Sequence, residues 1–556
     1  MSSYPQSKQR PTESSNLLFF GMLAVIGMGI ILWASGEVSG FLSSGRWPGA
    51  SLSDTGRALV QLASHPGDPA AAWPRSVRKS MSGPVPFYGV LIVITVLAGA
   101  SFVVARRLWL GLGTDPSASS GTRWASIADI RPLIVKEPLP GRLVLGRVGS
   151  KLIAAEERQS IIVLGPTQSM KTTGFAIPAI LEWQGPVIAT SVKTDLLRDT
   201  LEARAKRGDV WVYDPTASTG LPTNTWSPLH FCHDWRGAQR TASWLAGATQ
   251  SGRSGMQDGD FWYATSAKAA GPYLFAAATS GRSMTDVVRW VNTQEVKEVR
   301  EALLAAGVPE ALDAATATWN REARQKSSVF TTLETVLSAY EDPVVAESAR
   351  SCDIAPEAFL AGGSGTLYVV SPSHEQKRLR PLFETLIQTV INQAFELASH
   401  NGAPLDPPLL VVLDEAANIA PLRDLDALAS TAAGHGIQLV SIFQDLAQIT
   451  ARYGVERSQT VANNHRGKVI LSGISDRATL EYASLLIGDE EIMRASVTRG
   501  GYGSRSTTES TAMRSLAPAN VLRSIRPGEG ILVYGHLPPA RLQLRPWFKD
   551  KRLSEA

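Results

Sequence analysis

Two long uncharged runs dominate the start of the chain. Leu17 to Ala34 reads LLFFGMLAVIGMGIILWA, and Phe87 to Ala105 reads FYGVLIVITVLAGASFVVA, with Arg106 and Arg107 ending the second. Each approaches the ~20 residues that an apolar helix needs to cross a bilayer. Trp33, Tyr88 and Trp109 lie near their ends, where interfacial aromatics gather. The first run is longer than a signal-peptide core and no prompt small-x-small cleavage site follows it. A Gly/Ser-rich stretch, Gly111 to Gly121, then reads as a linker. From about Ser126 the pattern changes. Ser160–Leu164, Pro186–Ser191, Val210–Tyr213, Thr366–Val370, Leu409–Leu413 and Ile437–Phe443 are short continuous apolar runs between helical stretches. Lys468–Leu471 and Gly530–Tyr534 follow. Runs of this kind suit strands covered on both faces, hence a parallel α/β sheet. Between Ser227 and Ala361 no strand pattern appears, and Ala, Glu, Arg and Leu recur at helical spacing, which predicts an all-α domain inserted into the α/β domain. Arg499 to Thr511 (RGGYGSRSTTEST) reads as a mobile loop.

Composition narrows the class. The chain has 556 residues, of which 44% are hydrophobic and only 19% charged, against roughly 25% charged in an average soluble protein. Such a chain is not disordered. The 54 Lys and Arg against 50 Asp and Glu leave a net charge of +4, which excludes a histone-like polycation. Two cysteines, Cys232 and Cys352, exclude a disulfide scaffold or a four-cysteine zinc site. His233 beside Cys232 has no further pair at ligand spacing and reads as structural.

Chemistry concentrates after the first buried strand. Gly165, Pro166, Thr167, Gln168, Ser169, Met170, Lys171 and Thr172 read GPTQSMKT, followed by Thr173, between a strand and a helix. This is the setting of a P-loop, in which backbone N–H groups wrap phosphates, the Lys neutralises β/γ oxygens and the Thr hydroxyl meets Mg²⁺. Met170 stands where the motif has Gly, which puts the loop geometry in question. The run LLVVL ends in Asp414 and Glu415. An Asp there can hold Mg²⁺, and the next carboxylate can deprotonate an attacking water as general base. Together the two elements predict an ATP·Mg²⁺ site with Thr172 and Asp414 on the metal and Lys171 and Glu415 as catalytic groups. Gln444, ending the next strand in sequence, is a candidate sensor of hydrolysis. Arg457 and Arg466 are candidate arginine fingers, and one sequence does not choose between them.

These residues resemble the type IV secretion coupling proteins of the TraG/TraD kind. The likeness covers most of the chain: the two spans, Gly121 to Ala125 (GTRWA), Gly165 to Leu181 with the P-loop, and Ser191 to Leu196 (SVKTDL). It continues through Val212–Thr216 with Thr225–Leu229, Asp260-Phe261-Trp262, and Gln444 with Leu446, Gln448, Tyr453 and Gly454. Leu409 to Leu422, LLVVLDEAANIAPL, is the most specific match. Departures are Met170, Ser191, Ser227 and the Ala432-Ala433-Gly434-His435 stretch, where many members carry an Arg. The resemblance implies a RecA-like P-loop ATPase with an inserted all-α domain, preceded by two transmembrane helices. The expected layout is a cytoplasmic N-terminus over 1–16, spans at 17–35 and 87–105 around an extracytoplasmic loop 36–86, ATPase parts at 106–228 and 362–556, and the insertion at 229–361. It further implies a multi-pass inner-membrane protein with a cytoplasmic motor, a homo-hexamer when active. It would feed a relaxase–DNA complex, single-stranded DNA or a secreted protein to type IV secretion channel components. Direct signs of DNA contact are limited to Arg494, Arg499, Arg505 and Arg514 around Tyr502. Two rivals remain: a duplex-DNA pump of the FtsK type, for which the segment Arg545–Ala556 is too short to be a winged-helix reader, and a membrane receptor in which Met170 has impaired hydrolysis.

Overall fold

The computed structural model describes residues 13–112, 122–192, 194–249, 257–361, 363–499 and 505–555, and the chain divides into two compact units, 1–119 and 120–556. In the first unit, helices run over Glu13–Ser44 and Pro84–Leu112. Within them, Ile26–Ser44 and Pro84–Ser101 are long and apolar enough to cross a membrane. Ile92, Val93, Val96 and Leu97 stand exposed on the second. The first helix runs past the expected end at residue 35. Its one late charge, Glu37, is taken up by the Ala50 N–H, 2.5 Å from Oε1. The expected loop 36–86 therefore begins in helix. It also carries a short helix, Thr55–Ser64, over a small core of Leu32, Ala50, Ala58, Ala72, Trp73 and Phe87.

The second unit is built on strands β1 (Ile134–Val135), β2 (Val144–Val148), β3 (Lys151–Ala154), β4 (Ile161–Leu164), β5 (Val187–Ser191), β6 (Val210–Tyr213) and β7 (Thr366–Val370). These are followed by β8 (Leu409–Leu413), β9 (Ile437–Phe443), β10 (Gly467–Leu471), β11 (Asp489–Arg499), β12 (Arg505–Ser515), β13 (Glu529–Tyr534) and β14 (Ala540–Gln543). Twelve form one sheet in the order β1-β3-β2-β14-β13-β10-β4-β9-β8-β5-β7-β6. From β10 to β6 every neighbouring pair is parallel. From β10 to β1 every pair is antiparallel. The parallel strands are the apolar runs of the sequence, buried along nearly their whole length because helices cover both faces. Successive residues alternate between two cores. Ile162, Leu164, Val411, Leu413 and Leu439 join the helical insertion in one, and Ile161, Val163, Val412 and Val440 join the P-loop helix in the other.

The insertion is helical, with helices at Trp235–Thr249, Gln257–Thr279, Met284–Asn292, Lys297–Ala306, Pro309–Trp319 and Ala323–Leu337. It shares a continuous apolar cluster with the sheet face and with the long helix Gln376–Asn401. The stretch expected as a mobile loop differs. Most of 499–511 belongs to the antiparallel ribbon β11–β12, paired in register from Asp489↔Ser515 to Arg499↔Arg505. Its Thr-rich pattern favours paired strands over a loop. The turn with Tyr502, the linker 113–121 and Lys193 lie outside the described residues.

Candidate functional site

The site lies at the carboxyl ends of β4, β9 and β8, three adjacent parallel strands, which is where open α/β sheets bind ligands. β4 leads into the turn Gly165–Lys171, anchored where the Gly165 N–H donates to the Phe443 carbonyl at 3.0 Å. Gly165 is required by space: a Cβ there would come within 2.5 Å of Ser169 Oγ and 2.9 Å of Leu471 Cδ1. Gln168 and Met170 both have φ of 66°, the left-handed alternation from which anion-binding backbone nests are built. Thr167 and Gln168 are exposed, while Ser169 and Lys171 are buried. Ser169 Oγ has no hydrogen-bond partner among the described residues. The helix that follows opens with a π turn, Thr172–Ala176, a widening often found at functional sites.

Met170 takes up the left-handed conformation that the motif's Gly would adopt. Its side chain packs against the apolar core on the P-loop face. Gly174 and Gly528 lie beside it at ordinary contact distance: a Cβ on Gly174 would lie 3.5 Å from Met170 Cβ, and one on Gly528 would lie 3.4 Å from its sulfur. The loop geometry questioned from sequence is therefore accommodated by its neighbours.

Across the site, Thr172 Oγ1 donates to Asp414 Oδ2 at 2.8 Å, joining residues 242 positions apart. Asp414 is buried, which pushes its carboxyl above the usual range, opposed by the Thr172 hydrogen bond and the Lys171 charge. Thr190 Oγ1, at the end of β5, donates to the Asp414 carbonyl at 3.0 Å and holds the strand end. Glu415 has φ of 53°, a left-handed turn directly after β8. Asn418 Nδ2 donates to its Oε2 at 2.9 Å. Gln444 follows β9 between β4 and β8, and its N–H donates to Gln448 Oε1 at 3.0 Å.

The fold thus gathers Lys171, Thr172, Asp414 and Glu415, with Gln444 on the strand between. It ties both candidate arginines to carboxylates of their own chain. Arg457 donates to Asp426 at 2.6 Å and to the Arg423 carbonyl, and Arg466 donates to Glu156 at 2.8 Å. Of the ribbon arginines, Arg514 pairs with Glu490, and the side chains of Arg499 and Arg505 lie outside the described residues, as do those of Asp260, Phe261 and Trp262. Asn418 and Thr190 were missed from sequence. Asn418 lies three residues after Glu415 inside LDEAAN, a spacing that one turn closes. Thr190 is visible only once β5 pairs with β8.

Comparison with known proteins agrees with this architecture. A Conjugal transfer protein TraG of Escherichia coli is 26% identical over 372 residues, 62% of this chain and 57% of that protein. The chain therefore spans less than two thirds of that relative's length. A Protein VirD4 of Rhizobium radiobacter is 25% identical over 491 residues, covering 83% of this chain and 68% of the relative. Among solved structures, the bacterial conjugative coupling protein TrwBdeltaN70, unbound, superposes with a TM-score of 0.60 at 19% identity, covering 76% of this chain and 92% of that one. Plasmid coupling protein TrwB in complex with ADP and Mg²⁺ gives 0.59 at 19% identity, covering 77% and 94%. These likenesses show the fold, a mixed α/β sheet like that of the coupling protein TrwB. The family model described as Type IV secretory system Conjugative DNA transfer matches residues 133–556. That span takes in all fourteen strands and the helices inserted between them, and the chain belongs to this family of conjugative DNA transfer proteins.

Proposed function

We propose that this protein is a membrane-anchored ATPase motor that recruits a relaxase–DNA complex or a secreted protein and passes it to a type IV secretion channel. The observation that carries the reading is the 2.8 Å hydrogen bond between the P-loop Thr172 and the strand-end Asp414, with Glu415 next in the chain and held by Asn418. The residues suit a magnesium nucleotide. Ser169 Oγ is a buried polar atom without a partner among the described residues, and the left-handed turns at Gln168 and Met170 shape an anion cradle. Thr172 and Asp414 would hold Mg²⁺, which when bound neutralises phosphate charge. Lys171 pairs with phosphate oxygens. Glu415, oriented by Asn418, accepts a proton from the attacking water. Gln444 reports the state of the site from the adjacent strand. TrwB, whose fold this chain shares, has been solved with ADP and Mg²⁺ and with a non-hydrolysable ATP analogue, which supports the same ligands here. The two apolar helices support a membrane anchor; in this reading the protein is multi-pass in the inner membrane with the motor cytoplasmic, and its active form is a homo-hexamer.

The test is ATP hydrolysis by the full chain in detergent, with and without single- and double-stranded DNA. Lys171→Ala and Glu415→Gln should each abolish turnover. Wild-type turnover no higher than that of the two variants would overturn the motor reading and leave a cargo receptor. Strong stimulation by duplex alone would point to a duplex pump.

A further inference from the structure

A second pocket lies at the opposite end of the central strands from the candidate ATP site, and the motor chemistry makes no use of it. It opens at the amino ends of the parallel strands β4 and β10 and the carboxyl end of the antiparallel β13, with a volume of about 430 Å³. Gln159, Asn463, Asn464, Arg466 and Lys468 bring polar groups to it. Lys468 is the unusual member. It sits at 9% exposure within a central strand, and its ammonium spends one of three donors on the His465 carbonyl at 2.7 Å. Burial alone pushes its pKa down to about 8, with no carboxylate to offset it. A buried cation without an opposite charge beside it is expensive. Arg466 nearby is already paired with Glu156 at 2.8 Å. His465 is neutral, its ring held by the Val461 carbonyl and Ser441 Oγ. Neither can neutralise the lysine. Asn464 Nδ2 is committed to the Asp426 carbonyl at 2.8 Å and one N–H of Gln159 Nε2 reaches the Glu157 carbonyl at 3.4 Å, which leaves Lys468, Asn463 and the second Gln159 N–H as donors for the cavity. What the lining lacks is an anion with several acceptor oxygens.

We propose that this pocket is a phosphate-binding site, separate from the P-loop, in which Lys468 holds a phosphate group between the side-chain amides of Asn463 and Gln159. The group can come from free inorganic phosphate or from a nucleic-acid backbone. The test uses the full chain in detergent carrying Lys171→Ala, which silences the P-loop. Binding of inorganic phosphate and of an oligothymidylate is measured separately, by titration calorimetry and by the ligand-induced rise in Tm. Adding Lys468→Met should weaken binding about ten- to hundredfold, the loss of one charge-assisted contact. The Met side chain keeps the apolar stem, so this variant should fold at least as well as its parent. Phosphate binding lost with Lys468→Met identifies a site for the free ion. Loss confined to the oligonucleotide identifies a backbone contact. Binding of both ligands unchanged by Lys468→Met, or absent from the parent, would overturn the proposal. Because the P-loop is silenced in every arm, the outcome is independent of whether the chain hydrolyses ATP.

Discussion

Met170 shows how a residue that breaks a motif is absorbed by its surroundings. A left-handed Met costs about 1–2 kcal/mol relative to a right-handed one. The side chain recovers part of that by packing against the P-loop-face core, between Gly174 and Gly528. Met170→Gly would relieve the strain but lose the packing and add chain entropy of roughly 0.5–1 kcal/mol. We expect a change in unfolding free energy within about 1 kcal/mol and ATP turnover altered less than about threefold, as measured by melting and steady-state kinetics. Glu415 depends on a neighbour the motif does not name. Asn418→Ala should lower kcat by about ten- to a hundredfold with KM nearly unchanged, if Glu415 is the general base proposed above, because the change frees that carboxylate without touching phosphate contacts. Lys468 gives a pH prediction. Its folded pKa of about 8 lies below the unfolded value of 10.5. Between those values the unfolded chain binds more protons, so stability rises with pH across that window. Lys468→Met should remove that rise and be more stable near neutral pH by on the order of 2–3 kcal/mol, read from melts at pH 7 and pH 10.

At the scale of elements, the antiparallel half of the sheet supports the parallel half that carries chemistry. Arg545 follows β14, and its N–H donates to the Gly174 carbonyl of the P-loop helix at 3.3 Å. Its buried guanidinium makes two bonds of 2.8 Å to Glu182 at the end of that helix and one of 2.9 Å to Asp550. Arg545→Met should destabilise the chain by about 3–5 kcal/mol, because Glu182 is left charged and largely buried. Adding Glu182→Leu should restore most of the loss, as seen in denaturant melts. Of this half only β13 was legible beforehand, as the run Gly530–Tyr534. β1, β2, β3 and β14 are short, and their burial is set by partners far away in sequence. The parallel strands were legible, since burial on both faces writes itself as an uninterrupted apolar run. The ribbon β11–β12 was misread because its Ser, Thr and Arg content resembles a loop and, among the described residues, its strands pair with each other alone.

At the scale of the molecule, the chain joins a unit with two bilayer-length helices to a unit built on one long sheet. The full chain should sediment with membranes and resist carbonate extraction. A chain lacking residues 1–119 should be found in the supernatant with its melt intact, because the second unit has its own apolar cores. Two segments of bilayer length, almost free of charge, help to explain why only 19% of the residues are charged. The order of Gly165–Thr172 after a strand, and of Asp414 and Glu415 after another, marked the candidate nucleotide site from sequence alone, because motifs of local geometry need only a few adjacent residues. The insertion of β9 between β4 and β8, the 2.8 Å meeting of Thr172 with Asp414, the partner of Glu415 and the pocket around Lys468 were decided by the tertiary structure. Each depends on which strands lie side by side, and that order is set by how the whole chain buries its two apolar faces at once.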